Sequence, residues 1–294
     1  MIPEMIEELM RGPNGNYRRP CPRCDRGPRD SALSVRVDDG GVVLHCFRCG
    51  FVRAAYRRVP ARAPQVQTYA PRDALRRVWR ESVALAESDE VSAYLAGRGL
   101  ADVLASPPYV LRAHPRLDYF QEGDRGTYCA LVSLVHDRTG TPVGIHRTYL
   151  QGGAKAPVRT PKKLMPPLEK GAYSRAAIRL YPVSEAGVLA VAEGIESALS
   201  YWVLNRIPVW SCISAGGLER FWIPDGVKEL HIIEDIDPSG VGQHAAMSLF
   251  KRAASRWRRA VYVSPTMVGG DLTRMDRRRV EYPIDMNDAL RAAS

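Results

Sequence analysis

Two short stretches of the chain, VLAVA at Val188–Ala192 and LHII at Leu230–Ile233, are nearly unbroken apolar runs bounded by Gly, Pro and acidic residues. That is the pattern of parallel strands covered on both faces. Each leads into a helical period: IESALSYWVL after Gly194, and PSGVGQHAAMSLFKRAASRW after Asp237, where Ala245, Ala246, Leu249, Ala253 and Trp257 recur on one face. A third run, YPI, stops at Asp285. Strand, tight turn, helix, strand predicts right-handed crossovers, which deliver the residues just past successive strands to one edge of one sheet.

Upstream the period changes. ALSVRV and VVLHC alternate around DDGG and predict two strands joined by a tight turn. Arg53 to Pro71 is rich in Pro, Ala and Arg with no apolar period, which predicts a semi-flexible linker. ALRRVWRESVALA and EVSAYLAGRGL read as helices, the second stopping at Gly97 or Gly99. Tyr128–Val135 and Pro142–Leu150 alternate around Asp137-Arg138-Thr139-Gly140 and predict a hairpin. The expected organisation is a small β domain over 1–55, a linker over 56–71, a basic α+β part over 72–180 and an α/β parallel-sheet domain over 181–294.

Composition narrows the classes. With 294 residues, 45% of them hydrophobic, the chain can bury a small domain and one two-part core. No apolar run approaches the roughly 20 residues needed to cross a bilayer. A net charge of +10 fits a polyanionic partner, and basic clusters recur at Lys251–Arg259 and Arg274–Arg279. No GxxxxGK[ST] loop occurs, so no P-loop ATPase is expected. Six cysteines without a secretory signal imply a reducing compartment, where paired cysteines hold metal.

Candidate chemistry lies in two places. Cys21, Cys24, Cys46 and Cys49 form CxxC-x21-CxxC, with the predicted hairpin between the pairs to bring them together. Four thiolates saturate a tetrahedral zinc, so this site is expected to be structural. Its surface would carry Arg18, Arg19, Arg23, Arg26, Arg48 and Arg53 with Tyr17, Phe47 and Phe51, either a face for phosphates and unstacked bases or simply a solvated one. His45 is expected on the face opposite Cys46, and the isolated Cys129 and Cys212 are expected in the core.

The second place is acidic. Glu193 follows the first apolar run, Glu234-Asp235-Ile236-Asp237 the second, and Asp285 and Asp288 the third. A period of two puts Asp235 and Asp237 on one side of an extended backbone, and carboxylates so crowded repel unless a divalent cation neutralises them. Just upstream lie Arg147, Lys155, Arg159, Lys162 and Lys163, a solvated loop or a set of cations for a triphosphate and a template backbone.

Glu193-Gly194 and Asp235-x-Asp237, in this order over about Tyr181 to Ala292, resemble the Toprim fold. The resemblance implies that Glu193, Asp235 and Asp237 bind magnesium or manganese, with Asp285 or Asp288 closing the metal site, and leaves open whether Glu193 is a ligand or a general base. Glu196 stands where replicative primases tend to place an acid one residue later, so its role is not carried over. A four-cysteine ribbon, a basic segment from RDALRRVWRESVALA through GIHRTYL to Gly153-Ala154-Lys155-Ala156, and Toprim, in that order, resemble the DnaG-type primases of phages and plasmids. This implies RNA primer synthesis on a single-stranded DNA template from ribonucleoside triphosphates, in the cytoplasm of a bacterial host. With no P-loop, a separate replicative helicase would be recruited, or strands already open would be used. A Toprim nuclease would use the same acids on water, a zinc/Toprim recombination mediator would bind DNA without turnover, and a topoisomerase has no room for its gate domain.

Overall fold

The computed structural model describes residues 2–24, 27–28, 30–38, 41–56, 72–121, 123–237, 240–255, 259–265 and 285–293. They fall into two units, Met1–Gln67 and Thr68–Ser294.

In the first unit, helix α1 (Ile2–Arg11) precedes strands β1 (Gly15–Arg19), β2 (Leu33–Asp38), β3 (Gly41–Cys46) and β4 (Val52–Tyr56). The strands form one antiparallel sheet in sequence order. The predicted hairpin is β2–β3, with Leu33 opposite Cys46. Leu33, Val35, Val37, Val42 and Leu44 bury one face with Leu9 of α1. The two edge strands and α1 escape the sequence reading because GNYRR and VRAAY carry no alternation, and edge strands are held by pairing more than by burial. Arg53–Tyr56, expected to open the linker, instead pair with β3, Arg53 opposite Leu44. The rest of that linker, 57–71, lies outside the described residues.

The second unit begins with α2 (Arg72–Arg80), a 3-10 turn (Leu85–Glu87), α3 (Asp89–Gly97) and α4 (Asp102–Ala105). The helix predicted through Ala86 stops at Arg80 because Val83 exchanges both backbone hydrogen bonds with Ala113, at 2.7 and 3.0 Å. Gly99, in the left-handed region at φ +70°, ends the next helical stretch. Strands β5 (Leu111–Gln121), β6 (Asp124–His136), β7 (Pro142–Gln151) and β8 (Ala154–Lys155) then form an antiparallel sheet in that order, with β9 (Lys162–Leu164) also on β7. The predicted hairpin is β6–β7. Both its faces are buried: Tyr119, Val132, Ile145 and Tyr149 pack with Val78 of α2, while Ala113, Leu131, Val135 and Leu150 join the core shared with the following sheet.

That following sheet is parallel, in the order β11 (Val209–Ser211), β10 (Val188–Ala192), β12 (Glu229–Ile233), β13 (Arg259–Val263). Its helices are α5 (Ile195–Asn205), α6 (Ala215–Glu219), α7 (Val241–Ala254) and α8 (Met286–Ala293). Alternation along β10 explains the unbroken apolar run: Ala190 and Ala192 face α5 and the antiparallel sheet, whereas Leu189 and Val191 face α6 and α7. The chain leaves β10 toward β11 and leaves β12 toward β13, so a crevice opens between the carboxyl ends of β10 and β12. Cys212 is buried in this core, as expected, and Cys129 is half-buried beside the Ser88 hydroxyl, 3.6 Å away. The YPI run, Trp257 and the Arg274–Arg279 cluster lie outside the described residues. Among those described, no helix is long and apolar enough to cross a membrane.

Leu199 of α5 is fully buried between the two sheets. Leu199→Ala should cost about 2–5 kcal/mol of stability through the cavity it leaves, read as a lowered urea midpoint with the slope unchanged.

Candidate functional site

In the first unit the Sγ atoms of Cys21 and Cys49 lie 3.8 Å apart and those of Cys24 and Cys46 lie 3.7 Å apart, with all four within 4.8 Å of one another. Zinc bonded to sulfur at about 2.3 Å needs tetrahedral sulfur edges of about 3.8 Å, so the set fits that ion. The turn after β3 holds the second pair: Cys46 N–H donates to the Phe51 carbonyl at 2.8 Å and Gly50 N–H to the Cys46 carbonyl at 3.0 Å. Backbone N–H groups of Cys49 and then Arg48 draw the Cys46 thiol down to about 6, toward the thiolate that binds metal. His45 pairs edge to face with Phe47, ring centroids 4.6 Å apart, and Arg18 stacks on Phe47 at 4.7 Å. Phe47 is 63% exposed. Arg48, read from sequence as a phosphate contact, is engaged by both Asp30 carboxylate oxygens at 2.9 and 3.0 Å.

In the second unit Glu193 follows β10 directly, with the N–H of Ala215 close enough to oppose the rise of its carboxyl. Asp235 follows β12 and accepts a 2.9 Å hydrogen bond from Ser197 Oγ on α5. Asp237 is drawn toward α7, its Oδ2 accepting the N–H of Gly242 at 2.9 Å. Gln243 brackets the Asp237 backbone, accepting from its N–H at 3.3 Å and donating to its carbonyl at 3.2 Å. Gly242 has to be glycine here, because a Cβ would stand 2.4 Å from the Asp235 carbonyl oxygen. Asp285 caps α8, its Oδ1 accepting the N–H of Asn287 at 2.8 Å and of Asp288 at 3.0 Å. Asp288, by contrast, is exposed and turns its carboxylate back onto the Asp285 N–H at 3.0 Å. Glu234 leaves this group altogether, accepting a 2.5 Å hydrogen bond from Tyr262.

The remaining acids feel one another. Burial pushes Asp235 up to about 7, with Asp285 and Glu193 adding to the shift. Burial likewise raises Glu193, with Asp237 adding, and raises Asp285, with Asp288 adding. Glu193, Asp235, Asp237 and Asp285 therefore form one field of mutually repelling carboxylates, a donor set of hard oxygens suited to a divalent cation. Their spacing is looser than that of the cysteines, which are the one group among the described residues with ligand atoms within 4.8 Å.

Two of the five cations singled out from sequence meet this field. Lys162 Nζ lies 2.8 Å from Glu196 Oε2 and Lys155 Nζ lies 3.6 Å from Glu196 Oε1, which also accepts the Tyr94 hydroxyl at 2.7 Å. Burial opposes the Glu196 charge, yet the two ammonium groups hold its carboxyl well below the usual range. Lys155 shares its acid with Lys162, so its own burial prevails and lowers it. The same Lys162 charge opposes the upward shifts of Glu193 and Asp235. Lys163 points to the other face of β9, donating to the Phe120 carbonyl at 2.5 Å over the Tyr119 ring, and its register partner Arg147 donates to the Leu164 carbonyl at 3.1 Å. Arg159 is exposed. Glu196, Ser197, Tyr94 and Gln243 had no assigned role from sequence. Only Glu196, an acid inside a helix that starts at a strand end, left a signal there.

Residues 188–294 match the family described as Toprim domain, and residues 70–175 match one described as Domain of unknown function (DUF7146). No curated protein matches. Among solved structures, the primase fragment of the bacteriophage T7 primase-helicase aligns at 15% identity and TM-score 0.42, covering 95% of each chain. The zinc-binding and RNA polymerase domains of Aquifex aeolicus primase align at 16% and 0.40, covering 88% of this chain and 79% of that one. The E. coli primase catalytic core aligns at 13% and 0.44, covering 70% and 71%.

The cysteine site should bind one zinc per chain by elemental analysis. Cys46→Ser or a strong chelator should release it and strip hydrogen-exchange protection from Leu33–Asp38 and Gly41–Cys46; a sheet that stays protected without metal would contradict a structural zinc.

Asp235 makes a second prediction. Raised from 3.8 to about 7, it binds its proton more tightly in the folded chain, so its contribution to stability is full below the lower value and is lost as pH rises through the higher. In metal-free protein, Asp235→Asn should gain over wild type as pH rises from 4 to 8, by on the order of 3 kcal/mol at the top of that range. Millimolar magnesium should shrink the gain, and an advantage that does not change with pH would count against a shifted Asp235.

Proposed function

We propose that this chain, whose residues 188–294 are a Toprim domain, is a metal-dependent nucleotidyltransferase that makes short RNA primers on single-stranded DNA, as phages and plasmids carry. The observation that carries the reading is the meeting of opposite charges at one crevice. Glu193 and Asp235 follow β10 and β12, with Asp237 before α7 and Asp285 before α8, and Lys155 and Lys162, fixed by Glu196, act on the same field.

Glu193, Asp235 and Asp237, with Asp285, would hold magnesium or manganese, which supplies charge neutralisation at the phosphates and lowers the pKa of a bound hydroxyl. Lys155 and Lys162 are preorganised for phosphate oxygens, because the buried Glu196 fixes where both ammonium groups stand before substrate arrives. The primer 3′-hydroxyl attacks the α-phosphate of the incoming ribonucleotide, forming the new O–P bond as pyrophosphate leaves. Glu193 has a raised carboxyl at this position and can take the hydroxyl proton if it does not serve as a ligand. The four-cysteine ribbon, with Phe47 and Arg18 stacked on its surface, is read as the template-binding element, phosphates meeting cations and an unstacked base meeting a ring. A separate replicative helicase would supply opened strands.

Asp235→Ala and Asp237→Ala should abolish Asp-dependent dinucleotide synthesis from ribonucleotides on single-stranded DNA while leaving DNA affinity within about twofold, since phosphate contacts supply most of that affinity. Shortening of the DNA in place of primer synthesis would make the protein a nuclease. Glu196→Gln should raise the KM for ribonucleotides roughly tenfold and change kcat less, because it releases the lysines and leaves the acids in place. An equal fall in kcat and kcat/KM would instead put Glu196 in the reacting centre.

A further inference from the structure

On the face of the parallel sheet covered by α6 and α7 lies a cleft of about 830 Å³, outside the acidic field and used by none of the chemistry above. Its size is that of a ligand site, typically about 300–1,000 Å³, rather than of an ion site. Arg175, Arg220, Trp222, Glu219, Asp225 and Arg252 are among its walls. Arg252 builds the floor, donating to the carbonyls of Glu219 and Phe221 at 2.8 and 2.9 Å and so tying α7 to the end of α6. Arg175 and Arg220 are exposed, and among the described residues neither guanidinium is engaged by an acid. Arg175 is held in the left-handed region at φ +59°, a costly conformation for a side-chain-bearing residue. Trp222 is half-buried, with its indole in the cleft wall.

We propose that this cleft binds single-stranded nucleic acid a short step from the acidic crevice, an inference that rests on the polymerase reading for its role but not for its chemistry. The two exposed guanidiniums match phosphates, and the indole offers a stacking face for a base of any identity. Trp222 decides between a nucleic acid and an acidic peptide, because its indole can stack on a base and an acidic peptide offers it no ring. Glu219 and Asp225 repel phosphates and peptide acids alike, and in a nucleic acid they accept hydrogen bonds from the exocyclic amino groups of bases. The placement fits one continuous strand: α6 begins at Ala215, whose N–H acts on the Glu193 carboxylate, and ends at Glu219 in the cleft wall. Five residues of helix span about 7 Å, about two steps of a stacked strand at about 3.4 Å each. A strand seated at the acids would therefore reach Trp222 within a few nucleotides.

The test is equilibrium binding of a fluorescein-labelled oligodeoxynucleotide and of the matching oligoribonucleotide to the full chain, by anisotropy at fixed salt, together with photocrosslinking of a 4-thiothymidine-containing strand. Arg220→Glu combined with Trp222→Ala should weaken binding about tenfold and remove a crosslink at Trp222. Trp222→Phe, which keeps an aromatic face, should restore most of the affinity. Arg175→Glu, at an exposed loop position, serves as a second variant independent of the α6 end and should weaken binding with a shallower salt dependence. Unchanged affinity in both the double variant and Arg175→Glu, or no crosslink to residues 215–225, overturns the proposal, as does displacement of the oligonucleotide by a glutamate-rich peptide whose binding needs Arg220. The two readings fail separately. If no primer is made but affinity still depends on Arg220 and Trp222, the polymerase assignment falls and the cleft stands. If primers are made and affinity ignores the cleft, the cleft alone falls.

Discussion

A carboxylate taken into a protein interior must be met by cations and hydrogen-bond donors, and at Glu196 they come from three other elements of the chain. Lys155 and Lys162 belong to short strands of the antiparallel sheet and Tyr94 to α3, while Glu196 sits in the first turn of α5. Removing any one partner would leave buried charge uncompensated, which is far costlier than the pair itself is stabilising. The two sheets of the second unit are therefore locked in one relation by an ionic contact as well as by the apolar core around Leu131, Ala192 and Leu199. The same contact sets the lysines beside the acids.

Around that lock, neighbouring carboxylates are driven in opposite directions. Burial raises both carboxyls: at Glu196 the two ammonium groups outweigh it and hold the acid ionised, whereas at the half-buried Asp235 the neighbouring Asp285 and Glu193 add to it and push the acid toward neutrality. His146, buried on the same side of the antiparallel sheet, is lowered to about 4 by burial with Lys162 adding to the shift, so it stays neutral and takes no charge from the cluster. The result is a crevice in which the carboxylates past β10 and β12 meet the two lysines held by Glu196.

The four-cysteine sheet rests on a different balance. It buries only a handful of residues around Leu33, Val35 and Leu44, too few for a core that stands without help. Four sulfurs at tetrahedral spacing supply the missing cross-link. The same cluster holds the turn containing Phe47 and Arg48, where Phe47 is exposed.

What the sequence by itself determined was whatever depends on period and spacing: the parallel strands at Val188 and Leu230, the β6–β7 hairpin, the cysteine pairs, and the acids following each strand. These are legible because neighbours along the chain decide them. The edge strands β1 and β4 were not, since pairing with β2 and β3 rather than any alternation of their own makes them strands. Equally hidden was the sorting of like residues: Lys162 toward the acids and Lys163 away from them, Asp285 into the field and Asp288 back onto the Asp285 N–H, Arg48 onto Asp30. Adjacent residues on a strand face opposite ways, and only the packing of one sheet on another decides which way is inward. The pairing of Glu196 with Lys155 and Lys162, dozens of positions apart, belongs to the tertiary structure for the same reason: an interior charge finds its partner by proximity in space, and sequence distance carries no trace of it.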